Sequence, residues 1–429
     1  MFCKNILLLL TVAGSALAAP ALKVINEGAP GTIPDKYIIV FKDGTTDAAV
    51  NTHTDRISKF HEKRGMDVKE KTKKAGIRKK FNFKSKKGFK GYSGDFDKAT
   101  VKEILKSPEV AFVEQDAVVK LNDKVDLEKR VYRPSAIWNL DRISHEKYTA
   151  PFAYYYDDKY AGDGVTVYVI DTGIRTTHKE FIDLGTGRSR ASFGFNAVGD
   201  GINTDGNGHG THCAGTIGGN TYGVNRKVKL VAVKVLDSQG SGTWSGVLNG
   251  MNWVAANARP NYSVASMSLG GGKSASVNAA VDTLWNSGVI LAVAAGNEGA
   301  DAINSSPASA PRAITVGAID SSNQVASWSN YGNTVDILAP GVSIQSTWIS
   351  SDTSTAFLSG TSMATPHVAG VAAYYISKMA ATGGSPNPTK ITSLLIDNAT
   401  KDQIGGNLRD APNRILSNDY CAKGYQCLY

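Results

Sequence analysis

The second half of the chain repeats a pattern that few folds can satisfy. Runs of small and β-branched apolar residues recur: "GVTVYVID", "VKLVAVKVL", "YSVASMSL", "VILAVAAGN", "AITVGAI" and "TVDILAPG". Between several of them lie helix-patterned segments, "GTWSGVLNGMNWVAANA", "SASVNAAVDTLWNSG" and the stretch from Ser362 to Met379. A strand that is apolar on both faces needs cover on both. The alternation therefore predicts an α/β fold with a central, mostly parallel sheet flanked by helices. Working residues in such sheets sit at the carboxyl ends of strands, where Asp171 and Asn297 fall.

The N-terminal third reads differently. "YIIVFKD" predicts a strand, "TDAAVNTHTDRISKFHEKRG" an amphipathic helix, and "VKEILKSPEVAFVEQDAVVKL" a helix followed by a strand. That is a small α+β unit, followed by the charged linker "LNDKVDLEKRVYRPS" with its dibasic pair Lys129 and Arg130. The chain carries a formal charge of +9, and residues 1–130 hold all of it, with 26 Lys+Arg against 17 Asp+Glu. The remainder is neutral, so the charge gives no case for a nucleic-acid-binding main domain.

"MFCKNILLLLTVAGSALAAPA" has the charged start, short apolar run and Ala16-Leu17-Ala18 site of a secretory signal, residues 1–18. Nothing later reaches spanning length, so an exported protein with no membrane partner is expected. Asn261, Asn304 and Asn398 head N-x-S/T sequons, usable for glycosylation on that route. Cys421 and Cys427 are near enough in sequence to pair in an oxidising compartment, which leaves Cys213 as an odd thiol. No Cys and His spacing matches a zinc site; His209 and His212 are three apart with nothing adjacent to complete a set.

Three motifs carry the chemistry: "VIDTGI" with Asp171, "DGNGHGTHCAGT" with His209, and "SGTSMATPHVAG" with Ser362. Singly, each has a plain reading. Asp171 is a turn carboxylate or helix cap, His209 a loop residue, and Ser362 a cap on a helix with Pro366 in its first turn. Together they are a carboxylate, an imidazole and a hydroxyl in chain order, each at an element end. A serine becomes a nucleophile when an imidazole takes its proton and a carboxylate orients that imidazole. The order Asp, His, Ser is that of subtilisin.

These motifs resemble the signatures of the subtilisin-like serine proteases, most nearly the proteinase K-like branch of secreted fungal enzymes. The resemblance implies a signal (1–18), an inhibitory propeptide and linker (19–130) and a catalytic domain (131–429). It makes Asp171 the orienting group, His209 the general base and acid, Ser362 the nucleophile and Asn297 of "AAGNEG" the oxyanion donor, with a strand-end turn residue as the plain reading of Asn297. Gly240, Ser241, Gly242 and Trp244 would form one edge of a peptide cleft and Ser268, Leu269 and Gly270 the other. Trp244 reads equally as a core residue. Ala294, Ala295 and Gly296 would wall an uncharged primary pocket favouring apolar or aromatic side chains. Calcium is expected on the Pro311 and Ala313 carbonyls and the Asp336 carboxylate, a residue that also reads as a turn acid. Cys213 is expected as a buried structural thiol beneath His209.

The mature start is expected near Val131, after Arg130, although an apolar pocket disfavours self-cleavage there. Either another protease makes that cut, or a first self-cleavage lies nearby, between Leu121 and Arg130. The resemblance implies a monomeric endopeptidase acting on proteins and peptides and restrained by its own propeptide. A catalytically dead binding relative would need a substitution at the base, nucleophile or oxyanion position, and an esterase would not need the two strand edges.

Overall fold

The computed structural model describes residues 22–67, 76–83, 89–121, 136–145 and 152–419. The signal-like segment, Arg130, Val131, Cys421 and Cys427 lie outside the described residues.

Residues 22–121 form an antiparallel sheet in the order Val110–Leu121, Thr32–Phe41, Lys90–Asp95, Gly76–Asn82, with Val24–Ile25 parallel to the first. The run "YIIVF" is apolar at every position because both faces of its strand are buried. Tyr37, Ile39 and Phe41 pack with Ile57, Val101 and Ile104 from the unit's own helices, Asp47–Asp67 and Lys98–Ile104. Ile38 and Val40 point the other way, the period of two that a strand imposes. They share a cluster with Val247, Met251, Ala280 and Leu284 of the second unit.

That second unit is built on a sheet ordered Thr400–Lys401, Arg414–Ile415, Ile337–Pro340, Ile314–Ile319, Val289–Ala294, Ser263–Met267, Thr166–Asp171, Lys229–Lys234, Ala191–Asn196. Every neighbouring pair is parallel except the first. The chain starts at Thr166–Asp171, fills one side, then crosses to Ser263–Met267 on the other. The switch point thus lies between Asp171 and residue 268, where such sheets open a crevice. Helices His209–Gly218 and Thr361–Ala381 contribute to the core of one face, and Trp244–Asn257 and Ala275–Asn286 to that of the other.

The two units meet along the strand Val110–Leu121. Residues 118–120 pair antiparallel with Ser241–Thr243, and residues 120–121 with Leu269–Gly272. Glu114 and Asp116, just before, are buried at 0 % and 2 % exposure and would be costly there without partners. Each finds the start of a helix in the second unit. Glu114 Oε2 accepts from Ser276 N at 2.9 Å and from the Ser276 hydroxyl, at the head of Ala275–Asn286. Asp116 Oδ1 accepts from Ser245 N at 3.2 Å, at the head of Trp244–Asn257. The positive end of each helix dipole faces a carboxylate.

Glu114→Ala leaves two buried donors of Ser276 without an acceptor. It is expected to loosen the seat of residues 118–121 by about 1.5–3 kcal/mol, speeding hydrogen exchange of the Val119 and Leu121 amides at least roughly tenfold.

Candidate active site

Asp171 ends its strand at the switch point, and His209 opens its helix one crevice wall away. The approach is made by Gly208, whose φ of 111° and contact with the Trp348 ring leave no room for a side chain. His209 Nδ1–H donates to Asp171 Oδ1 at 2.7 Å, with both groups fully buried. Burial is the largest single influence and opposes the charged imidazolium, but the charge and hydrogen bond of Asp171, with Cys213 beside the ring, together hold the His209 pKa well above its ordinary value. With Nδ1 engaged, Nε2 is the free basic position, and it has no hydrogen-bond partner.

The carboxylate that sets this approach is Asp205, in the loop four residues before His209 and 5 % exposed. Its Oδ1 accepts from Thr172 Oγ1, Asn207 N and Gly208 N, all at 2.9 Å. Its Oδ2 accepts from Thr211 N and Thr211 Oγ1 at 2.9 and 2.6 Å. It caps the histidine helix and ties it to the turn after Asp171. The motif "DGNGHG" begins with this residue, so an acid two to four positions before a helix start was the available signal.

Ser362 is the second residue of Thr361–Ala381 and is fully buried, its Oγ donating to Ser268 O at 3.1 Å. Pro366 lies past the first turn expected for it, as the sixth residue of the helix. Asn297 follows the end of Val289–Ala294. Its Oδ1 accepts from Thr361 N and Thr361 Oγ1, both at 2.9 Å, which fixes the amide and leaves Nδ2 buried without a partner. An orphaned donor beside a serine at a helix N-terminus is what an oxyanion would use. Thr361, which orients it, was not singled out in the sequence although it lies in "GTS".

Cys213 sits one turn beyond His209, 0 % exposed, with Sγ 4.0 Å from Nδ1. Burial pushes its thiol up, so it is neutral beside the imidazole. Asp171, His209 and Cys213 bring three metal-ligating atoms within 4.8 Å of one another. His209 Nδ1 already donates to Asp171 Oδ1 at 2.7 Å, so this grouping is accounted for by that hydrogen bond with the Cys213 thiol packed beside it. His212 faces elsewhere, its Nε2 3.0 and 3.2 Å from the Ile344 and Ala356 carbonyls, and burial brings it down to about 3.

Residues 162–414 match the subtilase family (Peptidase S8), and residues 36–122 match the peptidase inhibitor I9 family. The chain is a subtilase. It is 55 % identical to a cuticle-degrading serine protease of Arthrobotrys oligospora over 98 % of this chain and all of that one. It is 43 % identical to a cuticle-degrading protease of Metarhizium anisopliae over 93 % and 95 % of the two chains. A solved cold-adapted subtilisin-like serine proteinase, 46 % identical, superposes with a TM-score of 0.60 and covers 66 % of this chain and 98 % of its own. The family makes this subtilase a serine endopeptidase preceded by an I9 inhibitor domain.

The remaining expected residues are placed as follows. Ser241, Gly242, Leu269 and Gly270 pair with the inhibitor strand, and Gly240 O accepts from Leu121 N at 3.3 Å. Trp244 is 1 % exposed in the cluster holding Val119 and Leu269. Ala294 and Ala295 are buried, and Gly296, at φ 109°, donates to Thr361 Oγ1 at 3.2 Å. Asn304 is exposed, Asn261 is half-buried, and the Asn398 amide donates to Tyr375 Oη at 3.2 Å.

A base acts through its neutral form. The subtilase's kcat/KM is therefore expected to rise with pH through a midpoint above the ordinary histidine value of about 6.5. Asp171→Asn removes the charge that raises it, moving the midpoint down and lowering kcat by about 10⁴; pH–rate profiles on both proteins check this.

Proposed function

We propose that this subtilase is an exported endopeptidase of broad specificity, made as a self-inhibited precursor, in which Ser362 attacks the peptide carbonyl. His209 Nε2 takes the hydroxyl proton and returns it to the leaving amine. Asp171 holds the tautomer and balances the imidazolium. The developing oxyanion is met by the Asn297 amide and the Ser362 N–H; loss of one such donor costs about 10²–10³ in kcat.

The observation that carries this reading is the peptide already in the cleft. Residues 118–121 lie as a strand between Ser241–Thr243 and Leu269–Gly272, the arrangement in which a substrate backbone is gripped with little demand on side chains. Val119 is fully buried among Trp244, Leu236 and Leu269, which supports a second apolar subsite with Trp244 in its wall. Ala294, Ala295 and Gly296 supply no carboxylate for a basic side chain, which supports an apolar or aromatic preference before the cut.

The uncharged pocket also bears on maturation. Residues 120 and 121 are held in the cleft against Leu269–Gly272, in keeping with a first self-cleavage between Leu121 and Arg130; the Arg130–Val131 bond then falls to a protease that accepts basic residues. Among the described residues no helix is long and apolar enough to cross a membrane, in keeping with export by the N-terminal signal.

Calcium would bind the Pro311 and Ala313 carbonyls and the Asp336 carboxylate. The residues fit a hard cation. Asp336 is half-buried and accepts through Oδ2 from Thr315 N at 2.8 Å, and burial pushes it up to about 6 against the opposing charge of Arg414. The ion would add a second, directly bound positive charge and tie the start of Ile314–Ile319 to Ile337–Pro340.

The processed enzyme is expected to hydrolyse casein and a succinyl-Ala-Ala-Pro-Phe anilide, and Ser362→Ala, processed in trans, neither. N-terminal sequencing places the cuts. A properly processed wild type inert on both substrates would overturn the triad. Chelation is expected to lower Tm by roughly 5–10 °C relative to calcium at about 100 Kd, with Asp336→Asn indifferent to the ion.

A further inference from the structure

The carbonyl of Ser362 lacks its ordinary helical partner. In a helix beginning at Thr361 it would accept from the amide of residue 366, but that residue is proline and has no N–H. Two side chains supply donors instead. Ser268 Oγ donates to Ser362 O at 2.9 Å, and Cys213 Sγ donates at 3.5 Å. Both donors are buried, at 1 % and 0 % exposure. They come from opposite walls of the crevice: Ser268 follows the strand Ser263–Met267, and Cys213 rides the helix that presents His209. A third bond closes a ring, because Ser362 Oγ donates back to Ser268 O at 3.1 Å.

We propose that Ser268 and Cys213 are positioning residues for the nucleophile: together they replace the helix amide that Pro366 removes, and hold Ser362 in register with His209. The inference rests on Ser362 and His209 acting as proposed above.

The physical argument concerns where a serine backbone is anchored. A carbonyl released from its helix is free to tilt, and tilting carries the Cα and hydroxyl with it. Ser268 fixes that carbonyl to the sheet. Cys213 fixes it to the helix of the base, so the spacing between Ser362 and His209 is set by one side-chain contact and not by loops. The reciprocal bond parks the resting hydroxyl on Ser268 O while His209 Nε2 has no hydrogen-bond partner. Attack requires the hydroxyl to leave that acceptor for His209 Nε2. A thiol is the weaker donor, so Ser268 carries the larger share. Sulfur suits the second place because burial keeps it neutral, and its packing beneath the imidazole requires no water.

The test uses full-length variants matured in trans by wild-type enzyme, so that slow variants still lose the inhibitor domain. Anilide kinetics, the rate of Ser362 phosphonylation by a fluorophosphonate and Tm are read on each. Ser268→Ala is expected to lower kcat and the phosphonylation rate roughly tenfold, with KM within twofold, the equivalent of one buried hydrogen bond. Cys213→Ala is expected to lose a smaller factor, Cys213→Ser to recover it through its hydroxyl, and the double alanine variant to lose more than the product of the two. Should Ser268→Ala fail to fold, the two Cys213 variants carry the comparison. The proposal is overturned if the alanine variants keep both rates within twofold while only Tm falls, if KM rises at constant kcat, or if Cys213→Ser is as slow as Cys213→Ala. An inert wild type would instead contradict the triad itself, and Ser362→Ala sets the background for that distinction.

Discussion

One buried hydrogen bond, from His209 Nδ1 to Asp171 Oδ1, is what the rest of the second unit is arranged to hold. The bond joins two fully buried groups, where the low local dielectric makes errors of placement costly. It therefore demands a rigid strand end on one side and a rigid helix start on the other. The parallel sheet provides the first, and Asp205, by five hydrogen bonds, the second. Thr361 then fixes Asn297, and Ser268 reaches Ser362, each from an element end at the same switch point.

The same crevice explains why an inhibitor domain is needed and how it is held. Without the inhibitor strand, Ser241–Thr243 and Leu269–Gly272 would each present an edge on which an extended chain can pair. The domain closes both with one strand of its own. It adds specificity through Glu114 and Asp116, whose burial is tolerated only because two helix starts lie opposite. Strand pairing and self-recognition are thus separated: the backbone gives the first, and two acids outside the paired strand edges give the second.

Much of this was legible in advance, for stated reasons. Runs such as "VYVID" and "LAVAA" are apolar on both faces, and only a covered parallel sheet uses them. Asp171, His209, Ser362 and Asn297 stand beside glycines or at run ends, where local pattern is informative. The strands Gly76–Asn82 and Lys90–Asp95 escaped because lysines and glycines dilute their alternation. Asp205, Thr361 and the Ser268 hydroxyl act through hydrogen bonds to partners remote in sequence or in neighbouring turns, and their residue types are common in loops. Pro366, expected at about the first turn, is the sixth residue of its helix, where its missing amide falls on the carbonyl of Ser362.

The central claim is that Ser362 is an activated nucleophile covered by residues 118–121 until the inhibitor domain leaves. Its most direct test is labelling of the precursor and the processed enzyme with a fluorophosphonate, followed by peptide mass spectrometry. The account predicts a single adduct on Ser362 in the processed enzyme and little or none in the intact precursor. Equal labelling of both forms would contradict the covering strand, and a processed, folded enzyme without an adduct on Ser362 would contradict the nucleophile.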